Sequence, residues 1–306
     1  MDYELAIIGG GPAGYTAGIY AARAGINAVI IDKGLGGGLA AISPKIENYP
    51  GFKSISGMEL VEKMKEHSSI YTKQIFNEEV DKIEKNNDFF EIQTDKKKYI
   101  VKSIILCTGT EYRKLNATGE KKLQGKGVSY CATCDGFFFK NKKVAVVGGG
   151  NSALIESIYL KQIGCKEVYV IHRRDKLRAE KAYEDEAISK GVKIIFNTHL
   201  ESINGEDRVE NLEIHNVETN KKTELEIDGV FISIGEEPQN ELAKKLGVKL
   251  DERGFIITDA QQRTNIKGIY AAGDITGGLR QVVTACAEGA IAALSSTESV
   301  GKKYPY

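Results

Sequence analysis

Two glycine clusters set in matching surroundings constrain this chain more than any other feature. Near the start, the apolar run Leu5–Ile8 breaks at GGGPAG, residues 15–24 are compatible with a helix, Gly25 stops it, and Ala28–Ile31 reads as a second buried strand. The cadence returns as Lys143–Val147, then GGGNSA, a helical stretch over 154–163, the stop Gly164, and a strand over 168–171. Gly9 to Asp32 spans 23 residues and Gly148 to His172 spans 24, so the copies agree in length as well as in kind. Strand, turn, helix and strand in that order form a βαβ mononucleotide-binding unit, and this chain is predicted to contain two.

The rest of the sequence fits two α/β domains. At roughly 150 residues per domain, 306 residues make about two. Residues 78–106 alternate in polarity between Asn and Asp-Lys turns and predict an antiparallel ribbon, with Lys96, Lys97 and Lys98 as a solvated turn. A similar pattern over 193–227 precedes an apolar strand at 229–234. The last segment, 254–293, offers two short strands, the turn GDITGG and a long Ala-rich helix starting near Gln281, but no glycine fingerprint. It is therefore read as completing the first domain. The fold class is two Rossmann-like, three-layer nucleotide-binding domains, with domain two (114–238) inserted between the parts of domain one (1–113 and 239–306).

Charge and targeting signals exclude other classes. Forty-two basic against 42 acidic side chains leave no net field to draw nucleic acid. Residues 5–22 carry no charge, nearly the length of a membrane span, but they hold Gly9, Gly10, Gly11 and Pro12 and follow Asp2 and Glu4 instead of basic residues. A soluble, cytoplasmic chain without membrane attachment is expected.

The two fingerprints end differently, and the ends carry the information about ligands. In the first, Gly9, Gly11 and Gly14, with Pro12 and Ala13 between, open a helix whose N–H groups can hold a pyrophosphate, and Asp32 ends the next strand where a carboxylate can accept both ribose hydroxyls. In the second, Gly148, Gly150 and Ala153 surround Asn151 and Ser152, and the acidic position is gone. His172, Arg173, Arg174 and Arg178 stand there, four candidate cations for a 2′-phosphate, which selects NADP over NAD. The alternative is a solvated basic turn paired with Asp175 and Glu180. Unequal sites imply two cofactors, the one with the acidic ribose contact being FAD. Asp274, after Gly273 in GIYAAGD, is placed to bond a polyol such as a ribityl chain, or to cap the following helix.

Cys131 and Cys134 form a CxxC pair that could be half of a zinc site or a redox dithiol. Zinc needs four ligands, and no second pair among His67, His172, His199, His215 and the three remaining cysteines has metal-site spacing. No metal is expected. Asp135 is a candidate proton donor or acceptor if burial raises its pKa. Cys107, Cys165 and Cys286 sit in apolar or helical contexts and read as packed thiols.

Taken in order, GGGPAGYTAGIYAARAG, ENYPGF, CTGT, CATCDGFFF, VAVVGGGNSA, HRRDKLRAEK, GVFISIG, YAAGD and RQVVTACAEGA resemble the low-molecular-weight thioredoxin reductases over nearly the whole chain. The resemblance implies a homodimeric flavoprotein with an FAD domain built from both chain ends and an inserted NADPH domain bearing the dithiol. By matching position Cys134 would face the flavin, Cys131 would attack the disulfide of thioredoxin or a thioredoxin- or glutaredoxin-like protein, and Asp135 would be the acid-base. Asn48, Thr108 and Gly109 fall in its flavin motifs, and Arg280 and Gln281 match its pair near the isoalloxazine. The family alternates nicotinamide and dithiol at the flavin by rotating the inserted domain, with pivots here near 110–114 and 235–240. Two departures stand out: Gly37, Gly38 and Leu39 replace the usual GGQL, so Gly38 stands for a glutamine, and Cys107 replaces the alanine of ATG. Competing readings keep the fold but take electrons from ferredoxin or a reduced deazaflavin, or make the chain a nucleotide-binding redox sensor.

Overall fold

A strand buried on both faces must be an unbroken apolar run, and LAII and AVII are such runs. In the computed structural model, which describes residues 2–43 and 45–304, they lie side by side in parallel, from Leu5 opposite Ala28 to Ile8 opposite Ile31. The chain divides into two units, 1–111 with 237–306 and 112–236. The inserted unit begins and ends two residues before the span read from sequence.

In chain order the first unit supplies β1 (Leu5–Ile8), α1 (Pro12–Arg23), β2 (Ala28–Ile31), α2 (Gly38–Ala41), α3 (Gly57–Ser69), β3 (Lys73–Ile75), β4 (Val80–Asn86), β5 (Phe89–Thr94), β6 (Lys98–Val101) and β7 (Ser103–Leu106), and β8 (Thr110–Tyr112) carries the chain across. The second holds β9 (Val128–Ser129), α4 (Ala132–Asp135), β10 (Lys143–Val147), α5 (Asn151–Gln162), β11 (Glu167–Ile171), α6 (Lys181–Ser189), β12 (Lys193–Ile195), β13 (Thr198–Asn204), β14 (Asn211–Asn216), β15 (Lys221–Glu226) and β16 (Gly229–Ile232). The return runs through β17 (Glu236–Pro238), α7 (Glu241–Leu246), β18 (Ile269–Ala271), α8 (Val282–Ser295) and α9 (Thr297–Val300).

Both units use one three-layer plan. The first has a five-stranded sheet ordered β18-β7-β1-β2-β3, and the second one ordered β12-β11-β10-β16-β9. In the first, Leu5, Ile7 and Ile30 face the alanines of α1 and α8, while Ala6, Ile8 and Val29 face the ribbon β4–β6 through Ile83, Phe90 and Ile92. In the second, Val144 and Val146 face Ala153, Leu154 and Ile158 of α5, while Ala145 and Val147 face the ribbon β13–β15 through Leu200, Leu212 and Ile214. Alternate residues of each central strand thus feed opposite cores, the period-two consequence of the pleat.

Three details differ from the sequence reading. Residues 193–195, read with the second ribbon, form β12, which pairs in parallel with β11, and that ribbon starts only at Thr198. The first ribbon ends at Val101, because SIIL at 103–106 is buried throughout and joins the parallel sheet between β18 and β1. In the last segment β18 is a full strand, whereas the expected second one is reduced to an isolated bridge between Leu250 and Ile256.

Candidate functional site

In the first unit the helix start is built for an anion. Pro12 opens α1, where its missing N–H costs nothing, and no side chain caps the N-terminus. The first-turn N–H groups therefore carry no side-chain cap and can donate to an anion. Gly14 allows the turn to close on itself, since a Cβ there would lie 1.9 Å from Gly9 O. Asp32 Oδ2 accepts from Gly10 N at 2.7 Å and Oδ1 from Gly34 N at 2.8 Å, which pins the carboxylate against the glycine turn with acceptor capacity to spare. Gly37 N donates to Gly10 O at 2.6 Å. Gly38 has φ +58°, a left-handed geometry that a glutamine would adopt only with strain.

Residues far apart in sequence meet around this turn. A Cβ on Gly273 would lie 2.9 Å from Ala13 Cβ, so the segment leading to Asp274 abuts the glycine turn. Glu288 of α8 fixes it: its Oε2 accepts from Gly273 N at 2.8 Å and from Thr276 Oγ1 at 3.0 Å. Sequence reasoning passed over Glu288, although it lies inside the motif RQVVTACAEGA. Asn48 Nδ2 donates to Gln281 Oε1 at 3.0 Å across 233 positions, and Gln281 in turn caps α8 in a reciprocal box with Thr284. Arg280, just before the cap, has φ +50°, a strained conformation for a residue with a side chain. Thr108 Oγ1 donates to Gln239 O at 2.7 Å and Gly109 O accepts from Gln239 N at 3.0 Å. Leu39 lies in the short α2.

The second unit repeats the helix start with another ending. The N-terminus of α5, at Gly150 and Asn151, again has no side-chain cap, and Ala153 is fully buried where the first unit has Gly14. Ser152 lies in the first turn of α5 and is exposed. The basic turn after β11 is laced to the glycine turn: Arg178 N and Ala179 N both donate to Gly149 O, at 2.7 and 3.2 Å. Asn151 and Glu180 exchange two hydrogen bonds of 2.8 Å each. Arg173, Arg174 and Arg178 are exposed, and among the described residues no ion pair engages them. Pairing with Asp175 or Glu180, the alternative open in the sequence, does not occur. Three guanidinium groups and an uncapped helix fit a diphosphate with a further phosphate.

His172 differs from its reading as a fourth cation. It is 5% exposed, and its ring packs on Gly149 so closely that a Cβ there would fall 2.1 Å from Nδ1. Nε2 lies 2.9 Å from Lys176 O, and a carbonyl only accepts, so Nε2 carries the proton. Burial, reinforced by Arg178 and Arg174, holds the pKa below 6.5 against the opposing backbone bonds to Lys176 and Gly148. The imidazole is therefore neutral at pH 7 and shapes the basic turn instead of adding charge to it.

Cys131 and Cys134 are joined in a disulfide with Cα atoms 5.3 Å apart, Cys131 preceding α4 and Cys134 within it. Strand register locates the pair: Ser129 aligns with Phe231 of β16, and Phe231 with Val146 of β10. The chain leaving β9 for Cys131 therefore emerges on the same carboxyl edge of the parallel sheet as Gly148, two strands or about 10 Å away. Asp135 is half-buried, and burial raises its pKa against the opposing bond from Ser129, whose Oγ donates to Oδ2 at 2.6 Å. Ahead of the pair, Tyr130 donates to Glu120 Oε1 at 2.6 Å, a buried carboxylate that also accepts from Leu115 N and Ala117 N. Ser129 and Glu120 belong to no motif, and only their contacts reveal them.

The other thiols are packed ones. Burial pushes Cys165 up to about 11, and it raises Cys107 and Cys286 as well. Among the described residues no group of three or more His, Cys, Asp or Glu could hold a metal ion, and no helix is long and apolar enough to cross a membrane.

With this geometry in view, the sequence profile of the pyridine nucleotide-disulphide oxidoreductases matches residues 3–289. A thioredoxin reductase from Bacillus subtilis is 40% identical over 296 residues, covering 96% of this chain and 93% of that protein. A Clostridium pasteurianum protein described as the 34.2 kDa protein in a rubredoxin operon is 41% identical over 98% of each. The crystal structure of thioredoxin reductase from Streptococcus pyogenes, 42% identical, superposes with a TM-score of 0.93 over 98% of both chains.

Proposed function

This chain belongs to the pyridine nucleotide-disulphide oxidoreductase family and, within it, to the thioredoxin reductases, and from that premise we propose that it takes electrons from NADPH by way of FAD to the Cys131–Cys134 disulfide and on to oxidised thioredoxin or a thioredoxin-like protein. Use of a flavin and a nicotinamide nucleotide follows from the membership. The observation that carries the rest is the redox pair itself, a closed CxxC disulfide with a half-buried carboxyl next to it, on the unit whose second nucleotide turn is edged by three unpaired arginines.

FAD, when bound, supplies the chemistry that accepts a hydride equivalent and delivers two electrons to a disulfide. The uncapped α1 start with Gly9, Gly11, Pro12, Ala13 and Gly14 would receive its diphosphate, and Asp32 the adenosine ribose. Asp274 would meet the ribityl chain, while Asn48, Thr108, Gly109, Arg280 and Gln281 would line the ring end. In the second unit Gly148, Gly150, Asn151, Ser152 and Ala153 would hold the NADPH diphosphate, with Arg173, Arg174 and Arg178 on the 2′-phosphate. His172 would keep that turn in shape.

Reduction of the partner is thiol–disulfide exchange. The Cys131 thiolate attacks one sulfur of the partner's disulfide, forming a mixed disulfide and releasing the partner's other sulfur as a thiolate. The Cys134 thiolate then attacks Cys131 Sγ, which restores the Cys131–Cys134 bond and frees the partner's second thiolate. Asp135 takes and returns a proton at the dithiol.

Three thiols outside the pair support a reducing, cytoplasmic setting, and the resemblance supports a homodimer. Balanced charge and the absence of a long apolar helix among the described residues support neither nucleic acid nor membrane as a partner. Cys134→Ser is expected to keep flavin bleaching by NADPH under anaerobic conditions and to lose thioredoxin turnover by at least about a thousandfold. Persistent turnover in that variant would falsify the electron path.

A further inference from the structure

Ser129 stands between the two halves of the redox machinery without belonging to a recognised motif. It is 5% exposed at the end of β9, held there by the parallel register with Phe231. Its hydroxyl oxygen accepts from Cys131 N at 3.1 Å and lies 2.6 Å from Asp135 Oδ2. The hydroxyl has one proton, and the carboxyl at 2.6 Å claims it over Cys131 O at 3.4 Å. Asp135 Oδ1, by contrast, is buried with no hydrogen-bond partner. The two oxygens of one carboxyl group are therefore not equivalent.

We infer that Ser129 is a positioning residue for the proton step at Asp135: its hydroxyl ties Oδ2 to the Cys131 backbone and leaves Oδ1 as the oxygen that gives and takes the proton. This rests on the acid-base role proposed for Asp135. Two electrons, supplied by the enzyme's own reaction, break the S–S bond into two thiolates. The proton on Asp135 Oδ1 then passes to one sulfur, leaving one thiol, one thiolate and a carboxylate whose Oδ2 keeps its donor. Reoxidation by a partner disulfide returns the proton to Oδ1. An unpartnered buried oxygen favours the protonated acid, whereas the Ser129 donor favours the carboxylate. Ser129 thus keeps the acid weak enough to be protonated and strong enough to let go.

The groups around the carboxyl leave its titration interpretable. Cys131 and Cys134 do not titrate while bonded, and Tyr130 is turned onto Glu120. The one-turn helix Gly136–Phe139 that follows α4 carries no charge, and neither does β16. Tyr159 and Leu160 of α5, with Ile163 just beyond its end, face Gly136; the charged residues of that helix are Glu156 and Lys161, and the proton affinity of Asp135 is raised by burial and opposed by the bond from Ser129.

The test is difference infrared titration of the Asp135 carboxyl stretch in the flavin-loaded disulfide form, assigned by its loss in Asp135→Asn. Ser129→Ala is expected to raise the pKa by about one to two pH units, a ten- to hundredfold gain in proton affinity, because a bond to the ionised form is gone. Ser129→Thr, which keeps the hydroxyl, is expected to restore the wild-type curve. Should Ser129→Ala not fold, Ser129→Gly is the second hydroxyl-free variant, with the same expected shift. A wild-type curve in a hydroxyl-free variant, or a Thr variant shifted as far as the Ala variant, overturns the inference. The pH profile of thioredoxin reduction in Asp135→Asn reports separately on the acid-base reading: an unchanged rate and profile there removes that role, whatever the infrared curves of the Ser129 variants show.

Discussion

The two glycine turns share a plan and differ in what each tolerates at its third position and at the end of its second strand. In the first unit the close return of the chain excludes any side chain at Gly14, and the strand ends in a carboxylate held by two backbone amides. The second accommodates the methyl of Ala153, and its strand ends in a neutral imidazole beneath three arginines. The uncapped helix start, common to both, is what the proposed function assigns to a diphosphate in general. In that proposal the choice between nucleotides falls to the residues after the second strand, where one charge sign replaces the other.

Exchanging the third-position residues gives the largest contrast. Gly14→Ala forces a methyl into Gly9 O and is expected to cost several kcal/mol, seen as colourless protein and a collapsed melting temperature for the first unit. Ala153→Gly is expected to cost about 1 kcal/mol of helix propensity and leave nucleotide binding within about threefold. Equal damage from both changes would mean that the turns are not built differently. Next in size, Arg173→Glu with Arg178→Glu is expected to raise KM for NADPH by about a hundredfold while moving KM for NADH by less than about threefold, since only one nucleotide carries the 2′-phosphate. Steady-state kinetics with both nucleotides decides it, and an equal rise would dissolve the assigned difference.

The smallest effect concerns pH. A histidine with a folded pKa below its unfolded 6.5 binds fewer protons in the folded state across that window. The second unit should therefore hold its full stability above pH 6.5 and lose a small part as pH falls through the depressed value. His172→Gln should flatten that acid-side slope in thermal melts followed from pH 7 to pH 5. A steeper slope in the variant would return His172 to the role of a cation.

Much of this architecture was legible because its signals are local. An apolar tetrapeptide, a glycine turn and a helix stop within 24 residues leave a βαβ unit few alternatives, and both copies fold as read. Contacts across long separations left no such trace. Glu288 reaches back to Gly273, Asn48 finds Gln281 across most of the chain, and Ser129 acquires its meaning only when α4 folds Asp135 onto it. His172 shows the complementary limit: residue type announced a cation, but burial against Gly149 decided the charge. SIIL at 103–106 was read as the tail of a ribbon because a short apolar run does not declare its partner. Its place in the sheet interior, with β1 on one side, is completed only by β18 on the other, more than 160 residues later.

That dependence bears on how the polypeptide emerges during synthesis. Every element of the inserted unit is complete once Glu236 has left the ribosome, so it can close its sheet while translation continues. The first unit cannot, because one edge of its sheet, β7, waits for β18, and the helix that covers α1 comes later still. At roughly 5–20 residues per second, that half-built sheet spends about 8–30 seconds with an open flank. The domain that starts first is the one that finishes last.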